Sequence, residues 1–126
     1  MKLRNLFILN AVLGLAFGVG FVLIPGVMLD LYGMAQSPSA SLAGQLFGVE
    51  LIAVGLLCWF VRDVSDAAAL RAIMPGLLIA DVAGLIVVLI GTLSGVMNAV
   101  GWSGVAIYAV LSAGYAYFRL VKPGVS

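Results

Sequence analysis

Two acids, Glu50 and Asp81, stand inside long apolar runs that hold no lysine or arginine. A charged side chain at the centre of a bilayer costs roughly 2.5–3.5 kcal/mol, so an acid kept in such a run calls for a use. Counting from the ends of the runs, Glu50 is 11 residues from Val61 and Asp81 is 9 residues from Ala72. At the helical rise these are about 17 and 14 Å, near the middle of an apolar layer about 30 Å thick. Tyr108, in the last apolar run, reaches the same level. The three residues are therefore expected to form one polar cluster between helices, able to share a proton, release it or hold a cation. Asn10, Gln45 and Ser112 are secondary polar candidates nearer the two faces. The plainer reading makes both acids protonated struts that hydrogen-bond between helices, and a third has them meet a basic residue of a partner.

Much other chemistry is excluded by residue type. The chain has no histidine, which removes imidazole ligation and any histidine base. Cys58 is the only cysteine, so neither an intrachain disulfide nor a paired-thiol redox motif is possible, and it reads as a small apolar helix residue. No phosphate loop, catalytic set, metal set or cofactor motif is present. A net charge of +1 gives no ground for a nucleic-acid partner.

The elements that hold these residues follow from composition. Of 126 residues, 64% are hydrophobic and 9% charged. A soluble domain of this size cannot hide so much apolar surface, whereas a bilayer can solvate it. The chain is read as a single all-α domain, an integral membrane four-helix transmembrane bundle with spans at 6–28, 40–61, 72–93 and 100–118. The uncharged start, 5–29, exceeds the apolar stretch of a cleaved signal and is expected to stay as the first span. Pro25 and Gly26 weaken its end and Asp30 closes it. Ser37 before Pro38 predicts a capped helix start. Asp63 or Ser65 is expected to cap the third helix, with Pro75 in its first turns. From Val82 to Phe118 runs an uncharged stretch of 37 residues, broken only at 94–98. Lys122, Pro123 and Gly124 are expected to stop the last span.

With four spans, all six basic residues (Lys2, Arg4, Arg62, Arg71, Arg119 and Lys122) fall on one side, and Asp30 lies on the other. The positive-inside rule then places both termini and loop 62–71 in the cytoplasm of an inner-membrane, multi-pass protein. The charged residues of that loop read as solvated surface pairs or as contacts to anionic lipid headgroups. Gly14 and Gly18, and Gly44 and Gly48, have the spacing of helix contacts, and Gly84 does the same beside Asp81. They are expected to pack the bundle internally, or to support a parallel homo-oligomer.

The segments Ile24-Pro25-Gly26, Leu46-Phe47-Gly48-Val49-Glu50 and Leu93-Ser94-Gly95-Val96-Met97-Asn98-Ala99 resemble those of small uncharacterised four-helix proteins of bacterial inner membranes. In size and span count the chain is also similar to DoxX-like membrane proteins. The expected function is a non-enzymatic accessory or binding component, with the bilayer and a membrane protein as partners. The alternatives are a small proton- or cation-coupled transporter or channel using Glu50 and Asp81, and a membrane enzyme with carboxylate and tyrosine chemistry.

Overall fold

A computed structural model describes residues 2–121. All its regular structure is helical: α1 (Leu3–Leu23), α2 (Pro25–Leu31), α3 (Pro38–Val61), α4 (Ala67–Leu93) and α5 (Gly101–Ala116), the last passing into a wider π-helical turn at Tyr117–Val121. Three of these, α1, α3 and α4, are long and apolar enough to cross a membrane. Their outward positions carry large apolar side chains such as Leu23, Phe60, Ile79 and Val87. That surface is the reverse of a soluble bundle's.

Local chemistry sets the boundaries. α1 stops at Leu23, short of residue 28, because Pro25 cannot donate a backbone hydrogen bond and its ring crowds the preceding turn. Ile24 leaves helical geometry, and Pro25 then starts α2 as its first residue. α2 ends at Leu31 and is followed by Gly33, whose φ of +70° suits a residue without a Cβ. There the N–H groups of Gly33 and Met34 close back on Asp30 and Leu29. Ser37 caps α3, its Oγ accepting from the Ala40 N–H at 3.0 Å.

The cap of α4 is Asp66, accepting from Ala69 at 3.1 Å, and neither Asp63 nor Ser65. The helix therefore begins at Ala67, which places Pro75 in its interior instead of its first turns. α5 has 16 residues, about 24 Å of helix, and the π turn lengthens it. The stop expected at Lys122, Pro123 and Gly124 lies outside the described residues.

The helices pair antiparallel, α1 with α3 and α4 with α5, and the pairs join where α1 meets α5. The α1–α3 seam is built from backbone. A Cβ on Gly18 would stand 2.8 Å from the Gly48 carbonyl oxygen, and one on Gly48 would stand 2.7 Å from that of Gly18. Gly14 faces the Leu51 carbonyl and Gly55 in the same way, while Gly44 meets the Phe21 ring more loosely.

The main core lies at the end carrying the basic residues, where Leu6, Phe7, Cys58, Leu70, Met74 and Tyr115 are buried. Farther along, α1 and α5 part around an apolar groove of about 240 Å³. At the opposite end Asn98 ties the loop after α4 to the end of α2. Its N–H donates to the Tyr32 carbonyl at 2.8 Å, and its Nδ2 donates to that of Leu31 at 3.2 Å.

Candidate functional site

The polar residues inside the bundle gather around Tyr115. α1 turns Leu3, Leu6, Phe7, Asn10 and Gly14 inward at three- and four-residue spacing, so Asn10 shares the buried face. A carboxamide there needs a partner, and Asn10 Nδ2 donates to the Tyr115 hydroxyl at 2.8 Å. The Cys58 sulfur of α3 is 3.8 Å from the same hydroxyl, and the Phe7 ring packs against the tyrosine ring at 5.9 Å between centroids. Cys58 and Tyr115 are completely buried.

Asp81, from the middle of α4, is 8% exposed, and its Oδ2 has no hydrogen-bond partner. The same holds for the Oγ of Ser112, one turn before Tyr115. The Asp81 carboxyl lies within electrostatic reach of Cys58, Tyr108 and Tyr115. Tyr108 is half-buried and lays its ring over Gly84, where a Cβ would come within 2.5 Å of it. A polar cluster thus draws one residue or more from each of α1, α3, α4 and α5.

Glu50 is not part of it. The expected grouping of Glu50, Asp81 and Tyr108 is not the one the helices assemble, because Glu50 is exposed on the outer face of α3. The cause is rotational. Gly48 and Gly55 must face α1 for the seam to close, and at 100° per residue Glu50 lies about 160° around the helix from Gly48. Moreover α3 packs on α1 and α4 on α5, so the helices carrying the two acids are not packed along each other.

Gln45 has a local role. Its Nε2 donates to the Val22 carbonyl at 3.1 Å, an acceptor near the end of α1 just before the chain leaves helical geometry. Asn10, a secondary candidate in the sequence, belongs to the centre of the cluster, and Ser112, another, is buried one turn before Tyr115 without a hydrogen-bond partner. Cys58, read in the sequence as a small apolar helix residue, and Tyr115 are the cluster's core. The available signal was Asn10 itself, an amide in an apolar run that had to find a partner.

Chemically the cluster offers a hydroxyl that accepts from Asn10 and keeps its own proton to donate, beside a thiol and a carboxyl without a cation. Among the described residues the hydrogen-bond partner of the Cys58 thiol is the Tyr115 hydroxyl and not a base. Among the described residues no three His, Cys, Asp or Glu side chains converge as metal ligands would. The chain matches no protein-family model, no curated protein and no solved structure.

Proposed function

We propose that this is a multi-pass inner-membrane protein, its four long helical segments spanning the bilayer as a bundle with the basic end in the cytoplasm. In this reading it is a non-enzymatic accessory or binding component that docks a partner on the outer face of α3. The observation that carries the docking role is the position of Glu50, halfway along α3 on the exposed face, between the apolar side chains of Leu46, Phe47, Val49 and Leu57. Left to lipid, that carboxyl is unfavourable whether it is ionised or must be protonated. A partner helix bearing a lysine, an arginine or another donor at mid-bilayer removes the penalty. The likeness in size and span count to DoxX-like membrane proteins fits a small helical component of this kind.

A photo-reactive residue at Ala53, one turn from Glu50, tests the docking role in native membranes. The expected product is a cross-link to a membrane protein that has a cation within a span, and Glu50→Leu should abolish it. A cross-link between two copies would instead indicate a homo-oligomer. If no protein is cross-linked and Glu50→Leu leaves the detergent-resolved mass unchanged, the docking role is refuted. Topology is checked separately in a Cys58→Ser background. Cysteines replacing Asp30 and Val96 should label from outside intact cells, and one replacing Ser65 should not.

Asp81 supports a second reading, proton or cation handling. Its unpartnered carboxyl oxygen is buried, so such a role would rest on Asp81 and would not need Glu50. Proton flux in reconstituted vesicles that disappears in Asp81→Asn and persists in Glu50→Gln would favour it over docking.

A further inference from the structure

At the basic end, the start of α1 and the loop after α3 border an open cavity of about 250 Å³ lined by Lys2, Arg4, Arg62, Asp63, Val64 and Ser65. Three cations there face a single acid. Asp63 is already engaged: Arg4 Nε donates to its Oδ1 at 2.6 Å, and Arg62 Nε lies 3.6 Å from its Oδ2. One carboxylate leaves two positive charges uncompensated in the lining.

Arg62 is also held in place. Its guanidinium lies 3.8 Å over the Trp59 ring, and its Nη1 donates to the Trp59 carbonyl. Such a guanidinium loses little freedom on binding an oxyanion, and its N–H groups not turned to Trp59 or Asp63 remain as donors for phosphate. Trp59 also sets the level, because tryptophan at the end of a spanning helix marks the headgroup region.

We propose that this cavity binds a phosphate group, that of an anionic phospholipid headgroup at the cytoplasmic face. The inference rests on the membrane placement proposed above and not on the docking role of Glu50. Free phosphate offers the same oxyanion chemistry, and lipid is the favoured source because a span with Trp59 in its last turn opens the cavity where lipid phosphates lie.

The test uses the full chain purified in mild detergent and titrated with phosphatidylglycerol, phosphatidylcholine or inorganic phosphate at one ionic strength. Bound lipid is counted by native mass spectrometry and stabilisation by thermal unfolding. Phosphatidylglycerol should be preferred over phosphatidylcholine. Lys2→Gln and Arg62→Gln should each weaken it about fivefold, the factor for one juxtamembrane cation. Asp63→Asn should tighten it, although the variant also breaks an ion pair. Arg71→Gln, at the same end but outside the cavity, should leave it unchanged, as should Glu50→Leu, which separates this test from that of the docking role.

Lys2 makes no ion pair among the described residues, so Lys2→Gln keeps the test valid even if an arginine variant fails to fold. The proposal is overturned if the two lipids bind alike, if Arg71→Gln weakens binding as much as the cavity variants, or if Asp63→Asn weakens it. Stabilisation by inorganic phosphate with the same variant dependence, and none by phosphatidylglycerol, would overturn the lipid source.

Discussion

The two helix pairs of this protein are closed in different ways. Between α1 and α3 the contact is backbone on backbone, with Gly18 and Gly48 each facing the other's carbonyl oxygen. Between α4 and α5 it is side chain on glycine: Tyr108 over Gly84, Val88 against Gly104 and Thr92 against Gly101. Where Gly18 and Gly48 meet, a backbone seam has no room for a side chain, so the acid of α3, two residues on from Gly48, is turned outward. A seam spaced by tyrosine and valine side chains does have room, and the acid of α4 is turned inward. Two acids placed halfway along their helices thus acquire opposite surroundings from the packing of their neighbours.

The hardest test of this contrast is to put side chains into both seams. Gly48→Leu must push against the Gly18 carbonyl and the Phe21 Cβ, neither of which can yield without moving α1. A loss of about 3 kcal/mol, the upper end for overpacking, is expected in reversible unfolding in detergent. Gly84→Ala meets the edge of the Tyr108 ring, which can rotate aside, and should cost about 1 kcal/mol. Equal losses at the two sites would erase the distinction between the seams.

The acids themselves provide the next test. Asp81→Leu puts a branched apolar side chain into a filled polar cluster and should destabilise the purified protein by about 1–3 kcal/mol. Glu50→Leu meets no neighbouring helix and should be neutral or stabilising, while improving insertion of α3 by up to about 3 kcal/mol. If Glu50→Leu destabilises the isolated chain as much as Asp81→Leu does, Glu50 has an internal partner and the outward assignment fails.

A smaller effect is expected at the hydrogen bond that joins the pairs. Tyr115→Phe leaves the Asn10 amide without its acceptor and should cost about 1 kcal/mol. Adding Asn10→Leu should recover part of that loss. A double-mutant cycle with no coupling would mean that the two side chains do not meet.

The smallest expected effect lies at the exposed end. The hydrogen bond from Arg4, aided by the charges of Arg4 and Arg62, holds the Asp63 carboxyl below the usual carboxylate range. A carboxyl whose folded pKa is depressed stabilises the fold above its unfolded pKa and loses that contribution as pH falls through the folded value. The pair should therefore be intact at neutral pH and fade only in acid below the ordinary carboxylate range. In melting temperature against pH, Asp63→Asn should remove a shallow acid limb and change little else, since exposed pairs contribute little. A steep change near neutral pH would have to come from another group.

Sequence by itself determined the features that depend on composition and on neighbours along the chain. Apolar runs of spanning length made helices, Ser37 and Pro38 started one, Pro25 ended another, and Gly95 with Asn98 marked the last turn. It also determined that Lys2, Arg4, Arg62, Arg71 and Arg119 gather at one end, because successive long helices run in alternate directions. Tertiary structure decided the rotation of each helix about its axis, which apolar runs this uniform barely encode. The glycines showed where backbones approach but not which pair closes against which. That choice joined α3 to α1 and so sent Glu50 outward and Cys58 inward. It also brought Tyr115, on the last helix, to Asn10, on the first, two residues whose contact no local pattern records. A buried polar group is placed by the partner it must find, and here the partners lie on different helices.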